Sequence, residues 1–471
     1  MSKDRKAMQP STIQPAARHL AEWAISTRLS DIDPAMLERS KLHLLDQVGA
    51  QVSCRNLPTC RISQDYVMRF GLPGVSSILG TAHRVDAEYA GFANGTAGSS
   101  FEIDDYGGKG ANSHPGCTVV PAALAIGEAV KASGANVLRA AAIGFETVIR
   151  LALASMPSLL LERGFHHTGA LGVFAVALES AMLEGDDVET AVNALAIAGS
   201  HASGTTEFAQ SGGEVKRVHA GISVAGGIRA ARLARLGLSG PPTILEGKRG
   251  FLQAFCNDFE PSYLTERLGS HWHFPERIAI KLFASCALMQ PHFAALDKIR
   301  ARHKVVANDI EEVLLGCDPL AYVHTGAVGP RPSDVLGAQF SAQYGMAMRI
   351  VKGKNDVGSY LDLEAVEFED AAIHAMADRV RMEHDSECTF ENPLGRVTLR
   401  LRDGRTLTDS AYAPGSPGNP VTRDDIEQKY LDLVSREFGR EIAIESLNLI
   451  MRLEEVRDIG ELTRLFEGAG R

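Results

Sequence analysis

Phe101-Glu-Ile-Asp-Asp-Tyr-Gly-Gly-Lys-Gly-Ala-Asn-Ser-His-Pro-Gly116 sits between two small-residue segments, Ala87 to Ser100 and Val119 to Val130, that read as buried helices. Its sixteen residues carry three carboxylates (Glu102, Asp104, Asp105), Tyr106, Lys109, His114 and four glycines. A polar, glycine-rich loop held between two core helices is where a scaffold places chemistry. The plainer reading is a turn whose acidic residues cap helices.

Outward from that loop the pattern stays helical. Leu20, Trp23 and Ala24, then Leu37, Leu44, Leu45 and Val48, recur at helical spacing. Asp33-Pro34 supplies an N-cap and a first-turn proline. Val137 to Ser155, Gly169 to Leu183, Val188 to Ser200 and Gly221 to Leu236 are rich in Ala, Leu and Gly, with few β-branched runs. Small side chains let helices approach closely, so this part reads as a many-helix core and not a βαβ repeat. Only Val75 to His83 could be extended in the early chain.

After Trp272 the composition changes. Val305 to Gly316 reads as a helix or loop entering a strand, Ser341 to Val351 as a helix, and Val380 to Met382 as extended. Gly395 to Leu401 is the clearest strand signal, closed by Asp403-Gly404 as a hairpin turn. Pro414 to Pro420 reads as a Pro/Gly linker, and Val421 to Phe466 returns to amphipathic helices. The expected fold class is mainly α: a large all-helical domain with a smaller inserted α+β lid domain. The expected bounds are 1–273, then 274–418 for the lid, then 419–471 returning to the helical domain.

Composition narrows the function. Lys and Arg number 48 against 58 Asp and Glu, a formal net charge of −10, which argues against a nucleic-acid surface. No run of ~20 apolar residues suggests a membrane span. Met1 to Pro15 is polar and does not read as a signal peptide. Seven cysteines without a Cys-x-x-Cys pair suggest neither a disulfide framework nor a zinc site. A reduced, cytoplasmic protein is expected.

Polar residues stranded in the helical pattern are the candidates. His166-His167-Thr168 precedes a helix; adjacent histidines suit a metal poorly, and Thr168 could simply cap. Lys216 stands at a helix start, electrostatically awkward unless an anion is bound. Lys281, alone in Ile278-Ala-Ile-Lys-Leu-Phe283, reads by default as a lysine snorkelling to solvent, and Tyr344 as a core aromatic. Gly247-Lys248 lacks P-loop spacing, and Arg249 stands where Ser or Thr would, so nucleotide phosphate binding is rejected.

Taken together, Phe92-Ala-Asn-Gly-Thr-Ala97, Asp104-Asp105, His114-Pro-Gly116, Gly164-Phe-His166, Lys216-Arg-Val-His-Ala-Gly221, Ile280-Lys281 and Phe340-Ser-Ala-Gln-Tyr344 resemble the MmgE/PrpD family, in family order along nearly the whole chain. That family includes 2-methylcitrate dehydratase, cis-aconitate decarboxylase and iminodisuccinate epimerase. The resemblance implies a homodimer, no metal or organic cofactor, and a small di- or tricarboxylate substrate. It implies a lyase (dehydratase or decarboxylase), with His114 as leading acid/base and Asp105, His166, Lys216 and Tyr344 in the catalytic set. Glu102, Tyr106, Lys109 and Lys281 are expected to bind substrate. These types suit the chemistry, because lysines and imidazoles can stabilise charge that builds beside a carboxylate. An isomerase or epimerase using the same α-proton chemistry, and a non-catalytic member, are the alternatives. Family dehydratases and decarboxylases commonly read Asp-Phe-Asp-Asp-Thr where this chain has Glu102-Ile-Asp-Asp-Tyr106, so a reshaped pocket is expected around Tyr106.

Overall fold

The computed structural model describes residues 14–468 apart from 109, 212, 390–391 and 417. Lys109 and most of the Met1 to Pro15 segment therefore lie outside the described residues.

The first part of the chain is a bundle of long helices: α1 (Ala16–Ser26), α2 (Pro34–Cys54), α3 (Pro58–Phe70), α4 (Ala87–Gly98), α5 (Gly116–Val130), α6 (Gly134–Ser155), α7 (His167–Leu183), α8 (Val188–Ala198) and α9 (Val215–Arg235). Their starts follow local chemistry. Asp33 accepts from Ala35 N at 2.7 Å ahead of Pro34, Asp86 caps α4, and Asp187 accepts from Thr190 N at 2.8 Å. Helix α9 packs against α4, α7 and α8 and so organises the bundle. Its contact with α4 depends on two glycines. A Cβ on Gly221 would stand 2.3 Å from Phe92 O, and one on Gly95 would stand 3.1 Å from Gly221 Cα. No side chain fits between these backbones.

Strand β1 (Asp105–Gly107) pairs antiparallel with β2 (Ile278–Ile280), in register Asp105↔Ile280. Beyond β2, helix α10 (Gln290–Arg302) covers a four-stranded sheet of β3 (Ile310–Cys317), β4 (Val380–His384), β5 (Leu394–Leu401) and β6 (Thr406–Tyr412), with α11 (Ala342–Lys352) nearby. The strand order is β4-β3-β5-β6, parallel only between β3 and β4. The β5–β6 hairpin turns at Gly404, whose φ is +87°. Helices α12 (Arg423–Phe438) and α13 (Arg440–Met451) return to the first bundle, α12 lying along α2. The architecture is mainly α. Of the early extended segment, only Ser76–Ser77 pairs, with Arg84–Val85.

The acidic loop is stitched between the two largest hydrophobic clusters of the described residues. Phe101 and Ile103 pack into the core of the sheet region, whereas Ile278 and Ile280 pack into the core of the helical bundle. Burying each such side chain contributes about 1.5–3 kcal/mol. The polar residues between these anchors are thereby fixed at the boundary.

Candidate active site

The β1–β2 pairing decides the site, because it carries Lys281, the residue after β2, up to the acidic loop. Lys281 is fully buried, with Nζ 2.8 Å from Asp104 Oδ1 and 3.1 Å from Glu102 Oε2. The snorkelling reading of Lys281 is thus overturned: its partners lie inside. Lys216, from the first turn of α9, pairs with the other oxygen of Glu102, and its ammonium lies 4.8 Å from the centre of the Phe340 ring. One carboxylate therefore bridges two lysines. Burial pushes the Glu102 carboxyl up, but Lys216 and Lys281 overcome it and hold the group at about 2. Asp104 behaves likewise: burial is outweighed by Lys281 and His114, and its carboxyl lies well below the usual range.

Asp105 has a different fate. Burial first, and then the neighbouring Asp104 charge, raise it to about 7. Its Oδ2 lies 2.8 Å from His43 Nδ1, and its Oδ1 accepts from Gly116 N at 2.9 Å, at the start of α5. A Cβ at Gly116 would come within 2.8 Å of that carboxylate, so the position suits glycine. Burial, then Arg39 and Lys429, lower the His43 pKa, leaving its imidazole neutral. Asp105 therefore ties the loop to α2 and α5, and it is not on the cavity wall.

His114 Nδ1 lies 2.6 Å from Asp105 O and 3.1 Å from Asp104 Oδ2. With Nδ1 donating to these oxygens, Nε2 carries the lone pair. His114 lines a cavity of about 120 Å³ together with Glu102, Tyr106, His166, His167 and Lys216. His166 Nδ1 is 2.9 Å from His219 Nδ1, one turn beyond Lys216 on α9. Burial, then its charged and imidazole neighbours, lowers His166 well below the ordinary histidine value, and His167 likewise. Thr168 does not cap α7; its hydroxyl lies 3.4 Å from His166 Nε2 and 3.3 Å from His167 Nδ1.

Tyr344 stands apart. It is fully buried in the sheet-region core, its hydroxyl donating to Phe368 O at 3.4 Å, and it is absent from the cavity wall. Its ring packs as a core aromatic, apart from the other members of the catalytic set in which the resemblance puts it. Among the described residues, no cluster of three His, Cys, Asp or Glu has a metal-ligating arrangement.

Sequence reasoning missed the group behind the loop. Lys429, from α12, donates to Asp46 Oδ1 at 2.5 Å, Ile103 O at 2.6 Å and Lys281 O at 2.7 Å. Burial raises Asp46 to about 6 against the pull of Lys429. Helical periodicity had placed Lys429 on a charged amphipathic helix, and no local signal marks it.

Residues 18–264 match the MmgE/PrpD N-terminal domain and residues 283–453 the MmgE/PrpD C-terminal domain. The chain belongs to the MmgE/PrpD family. Cis-aconitate decarboxylase of Aspergillus terreus is 28% identical over 95% of this chain and 94% of the relative. The cis-aconitate decarboxylase-like protein oryM of Aspergillus oryzae is 28% identical over 95% and 96%. Cis-aconitate decarboxylase of Mus musculus is 26% identical over 94% and 91%. With these relatives, this MmgE/PrpD member is an enzyme of the lyase class. None of its described helices is long and apolar enough to cross a membrane.

Proposed function

We propose that the chain is a decarboxylase of an unsaturated tricarboxylate, working without metal or organic cofactor, with cis-aconitate the substrate to test first. The observation that carries this reading is His114, which Asp104 holds at 3.1 Å and which shares one cavity wall with Lys216. The substrate carboxylate takes the place of Glu102 at the Lys216 ammonium, and His166 donates to a second carboxylate. The C–C bond to the departing carboxylate breaks and CO₂ leaves. The freed electron pair moves through the adjacent double bond, and the far carbon takes a proton that His114 Nε2 has first picked up from solvent, while Nδ1 keeps its own proton on Asp104 and Asp105 O. A tricarboxylate and one proton thus give a dicarboxylate and CO₂. Lys281, buried behind Glu102 and Asp104, acts through them as a positioning residue. Preorganised cations of this kind stabilise developing charge without reorganising at the moment of reaction.

The protein is further proposed to work as a homodimer in the cytoplasm, a setting that its seven free, buried thiols suit. Light scattering on the purified protein tests the assembly.

The activity test is incubation of purified protein with cis-aconitate in deuterated water, following CO₂ release and the product by NMR. Release of CO₂ with one deuterium at the protonated carbon supports the reading. Water loss from a citrate-type substrate, or deuterium entering recovered substrate with no CO₂, would replace it by dehydration or by isomerisation.

A further inference from the structure

The small cavity that holds His114 and Lys216 does not end there. It abuts a second cavity of about 400 Å³, and the two share Tyr106, Gly107, Asn112, Ala287, Leu288 and Leu320 as lining. The first alone is smaller than the roughly 300–1,000 Å³ of ordinary small-molecule sites; joined, the two fall within that range. The second is walled largely by apolar groups, among them Ile278, Ala279, Pro291, Pro393, Leu394 and Ala413.

Several polar side chains on its wall are already engaged. His292 Nε2 bonds Gly316 O at 3.0 Å, Asp318 accepts from Leu320 N at 2.8 Å, and Asn392 Oδ1 accepts from the Tyr412 hydroxyl at 2.7 Å. The Tyr106 hydroxyl is different. It is buried, has no hydrogen-bond partner, and belongs to a residue that lines both cavities. A buried hydroxyl left unbonded costs about 1–3 kcal/mol, so a ligand oxygen at the junction would relieve it.

We propose that the second cavity is a subsite for an apolar chain carried by the substrate, and that Tyr106 is the specificity-determining residue at its mouth. The substrate class is then an alkyl-substituted di- or tricarboxylate: carboxylates at Lys216 and His166, the chain passing Tyr106 into the apolar chamber. This rests on the carboxylate-binding reading of the same site. The chamber shares six wall residues with the reacting end and is walled mostly by apolar groups, with Glu276, Arg277 and Asp318 the charged residues on its lining. Tyr106 thus does more than occupy the position of a smaller family residue: its ring forms the wall along which the chain runs.

The test is equilibrium binding by calorimetry of succinate and of 2-ethyl-, 2-butyl- and 2-hexylsuccinate, which have no double bond to react. Each buried methylene is expected to tighten binding about four-fold, until the chamber is filled. Ala413→Leu, which narrows the chamber, should shrink the hexylsuccinate-to-succinate affinity ratio at least ten-fold; Leu394→Phe serves if that variant does not fold. Tyr106→Phe should weaken the whole series, succinate included, about equally, since it removes the hydroxyl and keeps the wall. Affinity that is flat or falls with chain length, or a ratio unmoved by both narrowing variants, overturns the subsite. If CO₂ is still released from cis-aconitate in that case, the decarboxylase reading stands alone. Failure of every member to bind, succinate included, overturns both.

Discussion

Replacing Lys429 by Met removes one ammonium from three oxygens: Asp46 Oδ1, Ile103 O and Lys281 O. Asp46 is fully buried, with a folded pKa of about 6 against 3.8 for the ordinary side chain. Its folded value is raised, so the native state binds the extra proton, and this carboxyl costs stability increasingly as pH rises from about 4 to about 6. Without Lys429, Asp46 escapes an unpaired buried charge by staying protonated throughout the neutral range. At about 1.4 kcal/mol per pH unit, that costs the variant about 3 kcal/mol more than the parent at pH 8, and almost nothing more at pH 5.5. The two stranded carbonyls add about 2 kcal/mol at either pH. The deficit expected from urea unfolding is therefore about 5 kcal/mol at pH 8, falling to about 2 kcal/mol at pH 5.5. Adding Asp46→Asn to Lys429→Met should abolish the pH dependence and leave the smaller deficit. Because Ile103 and Lys281 flank the loop carboxylates, turnover should also fall by at least ten-fold. A deficit that is equal at the two pH values, or below about 1 kcal/mol at pH 8, would refute the reasoning.

Other perturbations follow from the same geometry. Asp105, raised to about 7, also costs stability as pH rises from about 4 to 7, so Asp105→Asn should flatten the decline of melting temperature between pH 5 and 8, removing about 3 kcal/mol of pH dependence. Gly221→Ala forces a Cβ to within 2.3 Å of Phe92 O and should destabilise by about 1–3 kcal/mol in denaturant titration, by parting α4 from α9. His114→Gln should lower the rate of CO₂ release by about 10²–10⁴-fold while the melting temperature stays near that of the parent; normal turnover would remove His114 from the mechanism.

Much of this protein is written locally. Small-residue helical periodicity, the Asp33-Pro34 start, the Gly395 to Leu401 strand and its Asp403-Gly404 turn need only neighbouring residues, and each is found where the pattern places it. The acidic loop and the order of the motifs also sufficed to place the chain in its family. Pairing between distant residues is another matter. Whether Lys281 snorkels or lies buried depends on β1 meeting β2, across more than 170 positions, and its sequence neighbours are all apolar. Tyr344 and Tyr106 look alike as aromatics in a motif, yet one hydroxyl reaches a core carbonyl while the other is left unbonded at the cavity. His43, Asp46 and Lys429 carry no motif, because their partners come from other elements. The sequence by itself determined which segments are helical and which chemistry-bearing residues are present. Only the tertiary structure decided which charges face each other, because Coulomb and desolvation energies depend on distances and burial that no local pattern encodes.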